Sequence, residues 1–372
     1  MNRLCDKLGI KYPVIQAGMA GGATTPELVS AVSNAGGLGV LAASRLTPTQ
    51  LKEAILKIRS RTQNPFGVNI LLAPPEDGNK DVASVQGYLD NFRNELGLSS
   101  NSSNIPMNIP PSMTSSYLEI ICEEKVPVLS IGLGDPTNIT EVAHSHNITV
   151  MTMVTTVDET IQVVKGGTDI VVAQGAEAGG HRSTFKLGSN NEAPLVGTFA
   201  LVPQIVDAIP QVPVVAAGGI MDGRGLVAAL ALGASGVLIG TRFLVAKESG
   251  IFPAYQEKMF SSTEADTVIT HSFTGRPARS IRNRFVEKYL ESGTKPLAWP
   301  LQALAADDIY SESRKQNLAD YYPLLAGQGL RLLKRGQSAT DIVKEIVSSA
   351  NSIISSNLIV DTLPILDPKE NW

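Results

Sequence analysis

Residues 212–241 read VPVVAAGGIMDGRGLVAALALGASGVLIGT. The stretch 212–217 is a short apolar, β-branched run that stops at the pair Gly218 and Gly219, as a buried strand bounded by a turn does. Residues 223–232 then carry Leu, Val and Ala at helical spacing behind Asp222, a residue type that caps helix N-termini. A second apolar run at 236–240 ends in Gly240 and Thr241. Neither run alternates polar with apolar residues, so both faces of each strand must be covered. A helical connection between two such strands makes them parallel.

The same unit repeats toward the N-terminus. Runs at 13–18 (PVIQAG), 37–42 (GLGVLA), 66–72 (FGVNILL), 126–131 (VPVLSI), 149–154 (TVMTMV) and 169–173 (DIVVA) precede the two above. Amphipathic segments at 25–34, 47–60, 114–124, 138–145, 157–165 and 199–208 lie between them. Eight strands alternating with helices predict an α/β protein, a (βα)8 TIM barrel over residues 1–245. An open doubly wound sheet is the alternative, because element order alone does not show closure. Two segments break the alternation. Residues 73–113 hold a helical candidate at 82–96 and the stretch SSNSSNIPMNIPPS at 99–112, too long for an ordinary barrel loop and read as an excursion over the barrel mouth. From residue 246 onward the pattern turns helical, with candidates at 264–271, 281–291, 300–310 and 338–355. This predicts an additional mostly helical C-terminal substrate-side domain over 246–372.

Composition removes several classes of function. Among 372 residues, 31 Lys and Arg face 35 Asp and Glu, a net charge of -4, which gives no positive field to hold a nucleic acid or an anionic membrane. Cys5 and Cys122 cannot form a thiolate metal cage, and with only four histidines present the expectation is no protein-bound metal. The opening MNRLCDKLGIKYP has no apolar block of signal-peptide length, and no run approaches the ~18 apolar residues of a membrane span. A cytoplasmic protein without a membrane partner is expected, and a homo-oligomer stays open.

In a barrel, the loops at the carboxyl ends of the strands build the site, and the last two commonly hold phosphate on backbone N–H groups. Gly218 and Gly219 end the seventh strand, while Gly240 and Thr241 end the eighth; missing side chains admit an anion, the Thr241 hydroxyl adds a donor, and Arg242 offers a charge. One Gly pair alone would be a turn, but two such ends on adjacent strands point to phosphate. The sixth strand leads into AQGAEAGGH at 173–181. Here Gln174 can hydrogen-bond the edge of a heterocycle, Gly175, Gly179 and Gly180 clear space for a flat ring, and His181 is delivered at the barrel mouth. His144, His146 and His271 read as structural. At the first strand's end, Ala17, Gly18 and Met19 offer backbone amides and a thioether, although alone they would be a turn. Asn69, an amide inside an apolar strand, needs a partner, and a bound cofactor could supply it.

Seven segments occur in a fixed order: VIQAGMAGG, NAGGLGVLAA, PFGVNIL, AQGAEAGGHR, PVVAAGGIMDGRG, GVLIGTRFL and FTGRPAR. With them the chain resembles the nitronate monooxygenases, formerly 2-nitropropane dioxygenases, FMN-dependent barrels of the class that uses no pyridine nucleotide. The likeness spans residues 13–283 and extends to LLAGQG at 324–329. It implies FMN held by Asn69, Gln174, Gly179, Gly218 and Leu238, Ile239, Gly240 and Thr241, with Ala17, Gly18 and Met19 near the isoalloxazine. It also implies oxidation of alkyl nitronates, such as propionate 3-nitronate, with O2 to a carbonyl compound and nitrite. His181 would stand at the substrate, either removing the carbon-bound proton of a nitroalkane or, protonated, holding the nitronate.

The chain departs from the family pattern at Ser183, where a glycine is usual, at Leu238, where many relatives have Gln, and at SIGLG in 130–134. Tyr310, Tyr321, Tyr322 and Trp299 are candidates for the substrate pocket that the sequence does not order. Two other readings compete. A flavin-dependent enoyl-[acyl carrier protein] reductase shares barrel, FMN and the GGH motif but takes hydride from NADH. A non-catalytic flavin- or phosphate-binding barrel would leave His181 incidental.

Overall fold

The computed structural model describes residues 2–101, 112–189 and 191–356. Its strands are β1 (Val14–Gln16), β2 (Leu38–Ala42), β3 (Phe66–Leu71), β4 (Val128–Gly132), β5 (Thr149–Val154), β6 (Ile170–Gln174), β7 (Gly180–His181), β8 (Val214–Ala217), β9 (Gly236–Ile239), β10 (Thr267–Thr270) and β11 (Ala278–Ile281). The strands β1 to β6, β8 and β9 form a closed barrel, which decides against the open sheet. Every neighbouring pair is parallel, and closure runs through Val14 opposite Val237 and Ile15 opposite Leu238. β6 skips the short β7 and pairs with β8, Val171 opposite Val214. The strands from 212–241 are therefore the seventh and eighth of the barrel, as their glycine ends required.

Burial explains the absence of alternation. β2, β4, β6, β8 and β9 are buried at every position, because one face looks into the barrel and the other meets helices. Ile15, Val40, Val128, Met151, Val172 and Val215 fill the interior together with Leu4 and Leu8. Leu4 and Leu8 come from the N-terminal helix Arg3–Leu8 and reach the same interior core, so the interior is plugged by side chains rather than hollow. Capping follows the sequence: Thr25, Thr47 and Thr156 accept from N3 amides, and Asp222 accepts from the Arg224 amide at the start of Gly223–Ala231.

Beyond residue 246 helices predominate, but two strands lie among them. The segment 264–271, expected as a helix, is a single 3-10 turn Glu264–Asp266 followed by β10, and Ile281 closes β11 instead of opening a helix, which starts at Arg284 behind the Asn283 cap. The β-branched TVIT run gains a partner in β11, Thr267 opposite Ile281, and that pairing outweighs any local helical preference. The candidate at 300–310 is two helices, Leu301–Ala305 and Asp307–Lys315, and a helix at Pro253–Ser261 escaped the sequence pattern. The expected excursion survives as the helix Val82–Leu96, and residues 102–111 of the Ser/Asn/Pro stretch lie outside the described residues. That helix shares one core with Phe273, Phe285, Tyr289, Ile309 and Tyr310, so the insertion and the C-terminal elements build a single cap. Arg93 fastens it, donating to Asp308 (2.7 Å) and Asp90 (2.9 Å) from a fully buried position.

The helix Ala339–Ser355, expected within the C-terminal unit, packs on the barrel instead. Its Ile342, Val343, Ile346 and Ala350 join Leu28, Val32 and Leu226 in the layer outside the strands. Its amphipathic face meets the helices after β1 and β8, in the outer ring where the helix following β9 belongs.

Candidate active site

The carboxyl ends of the barrel strands and the cap enclose a cavity of ≈ 300 Å³. Ala17, Gly18 and Met19 from the end of β1, Asn69 from β3 and Gln174 from β6 line it. So do Gly179, Gly180 and His181, Gly218 and Gly219 after β8, and Leu238, Ile239, Gly240 and Thr241 at β9. These residues, picked from the sequence, thus border one space, whereas Gly175, Arg242 and Tyr321 do not line it.

Gly218 and Gly219 adopt φ of +111° and +72°, backbone that side chains disfavour, and their amides make no hydrogen bond within the described residues. The Thr241 amide is equally free, while its Oγ1 accepts from the Gly327 amide (2.9 Å). Unpartnered donors converging from two adjacent strand ends fit an anion such as phosphate. The neighbouring helix Thr198–Ala208 is not available for that task, because Glu177 already occupies its N-terminus, accepting from the Thr198 amide (2.9 Å) and hydroxyl (2.9 Å). Arg242, expected as a phosphate charge, turns away: it is fully buried and reaches Gln337 and Glu345 of the terminal helix region. At Gly179 a Cβ would fall 2.5 Å from the main chain of Ala326 and Gly327, so the AGQG loop seats directly on the sixth-strand loop.

Along the cavity wall, both N–H groups of Asn69 are engaged with Ser130, at its carbonyl (3.2 Å) and hydroxyl (3.1 Å), which leaves Oδ1 without a partner among the described residues. Gln174 donates to the His181 carbonyl (2.9 Å) and accepts from the Ser183 amide (2.8 Å), keeping one donor in hand. Its amide thus shapes the loop that carries His181 as well as facing the cavity. Ser183, the departure from glycine, donates to the Met153 carbonyl (3.3 Å) and accepts from the Leu133 amide (2.9 Å).

His181 is placed by a strand pairing that the sequence did not reveal. β7 adds to β11 with Ala278 opposite His181 and Arg279 opposite Gly180. Three buried guanidiniums hold the surrounding loop: Arg182 donates to the carbonyls of Gly175 (2.6 Å) and Gln174 (3.1 Å), Arg279 to that of Ala176 (2.9 Å), and Arg276 to Thr184 and Glu76. Desolvation lowers the pKa of Arg182 to about 10. The imidazole lies edge-on to Trp299, with ring centroids 5.3 Å apart at 79°, and its Nε2 is 2.9 Å from Thr274 Oγ1. Enclosure by protein, then the Arg276 and Arg45 charges, lower its pKa to about 4, so the ring is neutral at physiological pH. Among the described residues Nδ1 has no hydrogen-bond partner and is not a buried orphan, and His181 lines the cavity.

The other histidines lie elsewhere. His144 bonds Asp169 (2.8 Å), His146 the Val142 carbonyl (2.9 Å) and His271 the Asn191 carbonyl (2.9 Å). Of the aromatic candidates, Trp299, Tyr310 and Tyr322 line the cavity, whereas Tyr321 turns out to Glu95 (2.6 Å). Tyr255, Arg45, Arg314 and Thr274 also line it and were not singled out from the sequence. Arg45 was within reach, since it stands just past the end of β2, where barrel chemistry sits. It adopts φ of +71°, rare for a non-glycine residue, and pairs with Asp307 of the cap (3.0 Å). Arg314 donates to the carbonyls of Gly21 (2.6 Å) and Gly250 (3.0 Å). Among the described residues no group of three or more His, Cys, Asp or Glu is arranged to hold a metal, and no helix is long and apolar enough to cross a membrane.

Comparison with known proteins gives a consistent result. Residues 1–349 match the family described as nitronate monooxygenase. A probable nitronate monooxygenase of Staphylococcus saprophyticus is 38% identical over 357 residues, covering 95% of this chain and 98% of the relative. One from Staphylococcus haemolyticus is 38% identical over 358 residues, with 95% and 98% coverage. Among solved structures, a nitroalkane oxidase from Streptomyces ansochromogenes superposes with a TM-score of 0.87 at 32% identity, covering 95% of this chain and 99% of that one. FabK from Thermotoga maritima follows the same fold with a TM-score of 0.76 at 30% identity, covering 96% and 98%.

Proposed function

The chain belongs to the nitronate monooxygenase family of flavin-dependent oxidoreductases, and from that premise we propose that it binds FMN and oxidises alkyl nitronates with O2 to a carbonyl compound and nitrite. The observation that carries this reading is the sharing of one cavity by the free amides of Gly218, Gly219 and Thr241 and by an unprotonated His181. The amides and the Thr241 hydroxyl would hold the phosphate, and Asn69 Oδ1 and the spare N–H of Gln174 would meet the ring. Gly18, Met19, Gly179, Gly180, Leu238, Ile239 and Gly240 would wall it. Bound FMN supplies the electron acceptance that oxidation of a nitronate needs.

His181 does the proton chemistry of the protein itself. Of the two roles the sequence left open, the lowered pKa supports the base: a neutral imidazole takes the proton from the carbon bearing the nitro group, and the buried arginines and Trp299 keep bulk water from protonating it first. Arg45 and Arg314 supply positive charge to a cavity whose carboxylate, Glu177, is engaged by the Thr198 amide and hydroxyl, and this favours an anionic substrate. Arg45, half-exposed and, among the described residues, paired with the exposed carboxylate of Asp307, is free to exchange it for a carboxylate tail such as that of propionate 3-nitronate.

The test is direct. Heat-released cofactor should chromatograph as FMN, and O2 uptake with propionate 3-nitronate should proceed without NADH or NADPH. Recovery of FAD, or NADH oxidation stimulated by an enoyl thioester with no response to nitronates, would overturn the proposal. Arg45→Ala should raise KM for propionate 3-nitronate roughly 5-fold, the worth of ~1 kcal/mol for an exposed charge pair, and change ethyl nitronate, which lacks the carboxylate tail, much less. Steady-state kinetics on the two substrates read this, and equal changes on both would remove Arg45 from tail recognition.

A further inference from the structure

We propose that Thr274 is a positioning residue that fixes the tautomer of His181, so that Nδ1 is the nitrogen offered to the substrate. The inference rests on the reading of His181 as a base and assigns the atom that acts.

Thr274 Oγ1 has three polar neighbours: His181 Nε2 at 2.9 Å, the Arg276 amide at 3.3 Å and the Arg276 carbonyl at 3.3 Å. A hydroxyl has one proton and two lone pairs. The Arg276 amide can only donate and the Arg276 carbonyl can only accept. If the hydroxyl donates to that carbonyl, its lone pairs receive the Arg276 amide and an Nε2–H from His181, and all four groups are satisfied. If it donates to Nε2 instead, the Arg276 carbonyl loses its only donor among the described residues, on a residue that is 1% exposed. Leaving a buried carbonyl unpaired is the costlier arrangement. The ring therefore carries its proton on Nε2, and the lone pair of Nδ1 faces the cavity, where no protein group occupies it.

The sequence places this device in FTGRPAR. Thr274 sits in the turn before β11, and β11 pairs with β7, so the strand that positions the His181 backbone also leads out of the turn that orients its ring. In the proton transfer, the C–H bond next to the nitro group breaks, its electron pair stays on the substrate as nitronate, and a bond forms from that hydrogen to Nδ1. The imidazolium keeps its Nε2–H on Thr274 Oγ1, so no second proton moves.

Three variants and one spectroscopic measurement test this. In ¹⁵N-histidine-labelled holoenzyme near neutral pH, His181 should show the Nε2–H pattern by long-range ¹H–¹⁵N correlation. Thr274→Val should shift it toward the Nδ1–H form and lower kcat/KM for a neutral nitroalkane about tenfold, about 1.4 kcal/mol, with a clearly smaller loss on the preformed nitronate. Thr274→Ser should restore both the spectrum and the rate. An Nδ1–H tautomer in the parent protein, or equal losses on both substrates in Thr274→Val, would overturn the proposal. His181→Asn separates the two levels. If it spares nitroalkane turnover, the base reading fails and this inference falls with it. If it abolishes turnover while Thr274→Val does not impair it, the base stands and only the role of Thr274 is refuted.

Discussion

His181→Asn should purify with its flavin and lose about 10²- to 10⁴-fold in kcat/KM for a neutral nitroalkane, the usual worth of general base catalysis, or roughly 3 to 5 kcal/mol of barrier at about 1.36 kcal/mol per decade. Flavin retention is expected because the free amides proposed for its phosphate belong to Gly218, Gly219 and Thr241, and the groups proposed to meet its ring belong to other residues of the same cavity. With a preformed nitronate the proton has already left, so the loss there should be much smaller and lie mainly in binding. Measuring both forms of one substrate in parent and variant decides the matter. Equal, negligible losses on both, with flavin present, would make His181 structural.

The pH dependence has a defined sign. The folded pKa of about 4 lies below the ordinary value of 6.5, so the base is unprotonated from neutral pH down to the folded pKa, and turnover of the nitroalkane should fall as pH drops through about 4 in the free enzyme. The same shift bears on stability. Between pH 6.5 and 4 the unfolded chain binds more protons at this position than the native protein does, so this contribution favours folding fully above 6.5 and is lost as pH falls through the window.

Phe285→Ala should destabilise the protein by ~3 to 5 kcal/mol, the range for emptying a fully buried aromatic site. Phe285 stacks on Phe273 (5.3 Å, 12°) and lies against Phe92 (4.5 Å), Tyr289 and Tyr310. It therefore joins the insertion helix, the turn that ends in Thr274, and the cavity wall. The substitution should raise KM along with lowering Tm, because Tyr310 and the Phe273–Thr274 backbone lose their support. Leu290→Ala on the same helix, at a side chain 56% exposed, should change stability by no more than ~0.5 kcal/mol. Chemical denaturation of both variants checks the contrast, and a loss below 1 kcal/mol at Phe285 would mean that the cap does not depend on this ring.

The barrel was legible because its information is local. A short apolar run, a glycine end and a capped helix are each written in adjacent residues, and eight repeats of that unit leave few other ways to bury all the strands. The glycine-framed end of the barrel was legible for the same reason, since glycines after the last two barrel strands report a backbone need rather than a partner. His181 stood out through its glycine frame, and its family motifs agree with that.

What lay beyond the sequence is everything that depends on a partner distant in the chain. The segment 264–271 reads as helix by itself and becomes a strand because β11 lies beside it, and β11 in turn holds β7 and His181. Arg242 follows a strand end that invites phosphate, yet its guanidinium turns to Gln337 and Glu345, close to a hundred positions away. Tyr321 and Tyr322 are neighbours in sequence, and only packing sends one to Glu95 and the other into the cavity. The residues determined the barrel and the glycine-framed strand ends gathered at its mouth, since such features need no distant partner to be read. The lowered pKa of His181, the hydrogen bond of its Nε2 to Thr274 and the placing of Arg45 and Arg314 at the cavity were decided by tertiary structure alone, because desolvation and hydrogen-bond geometry are set by groups brought within a few ångströms by folding.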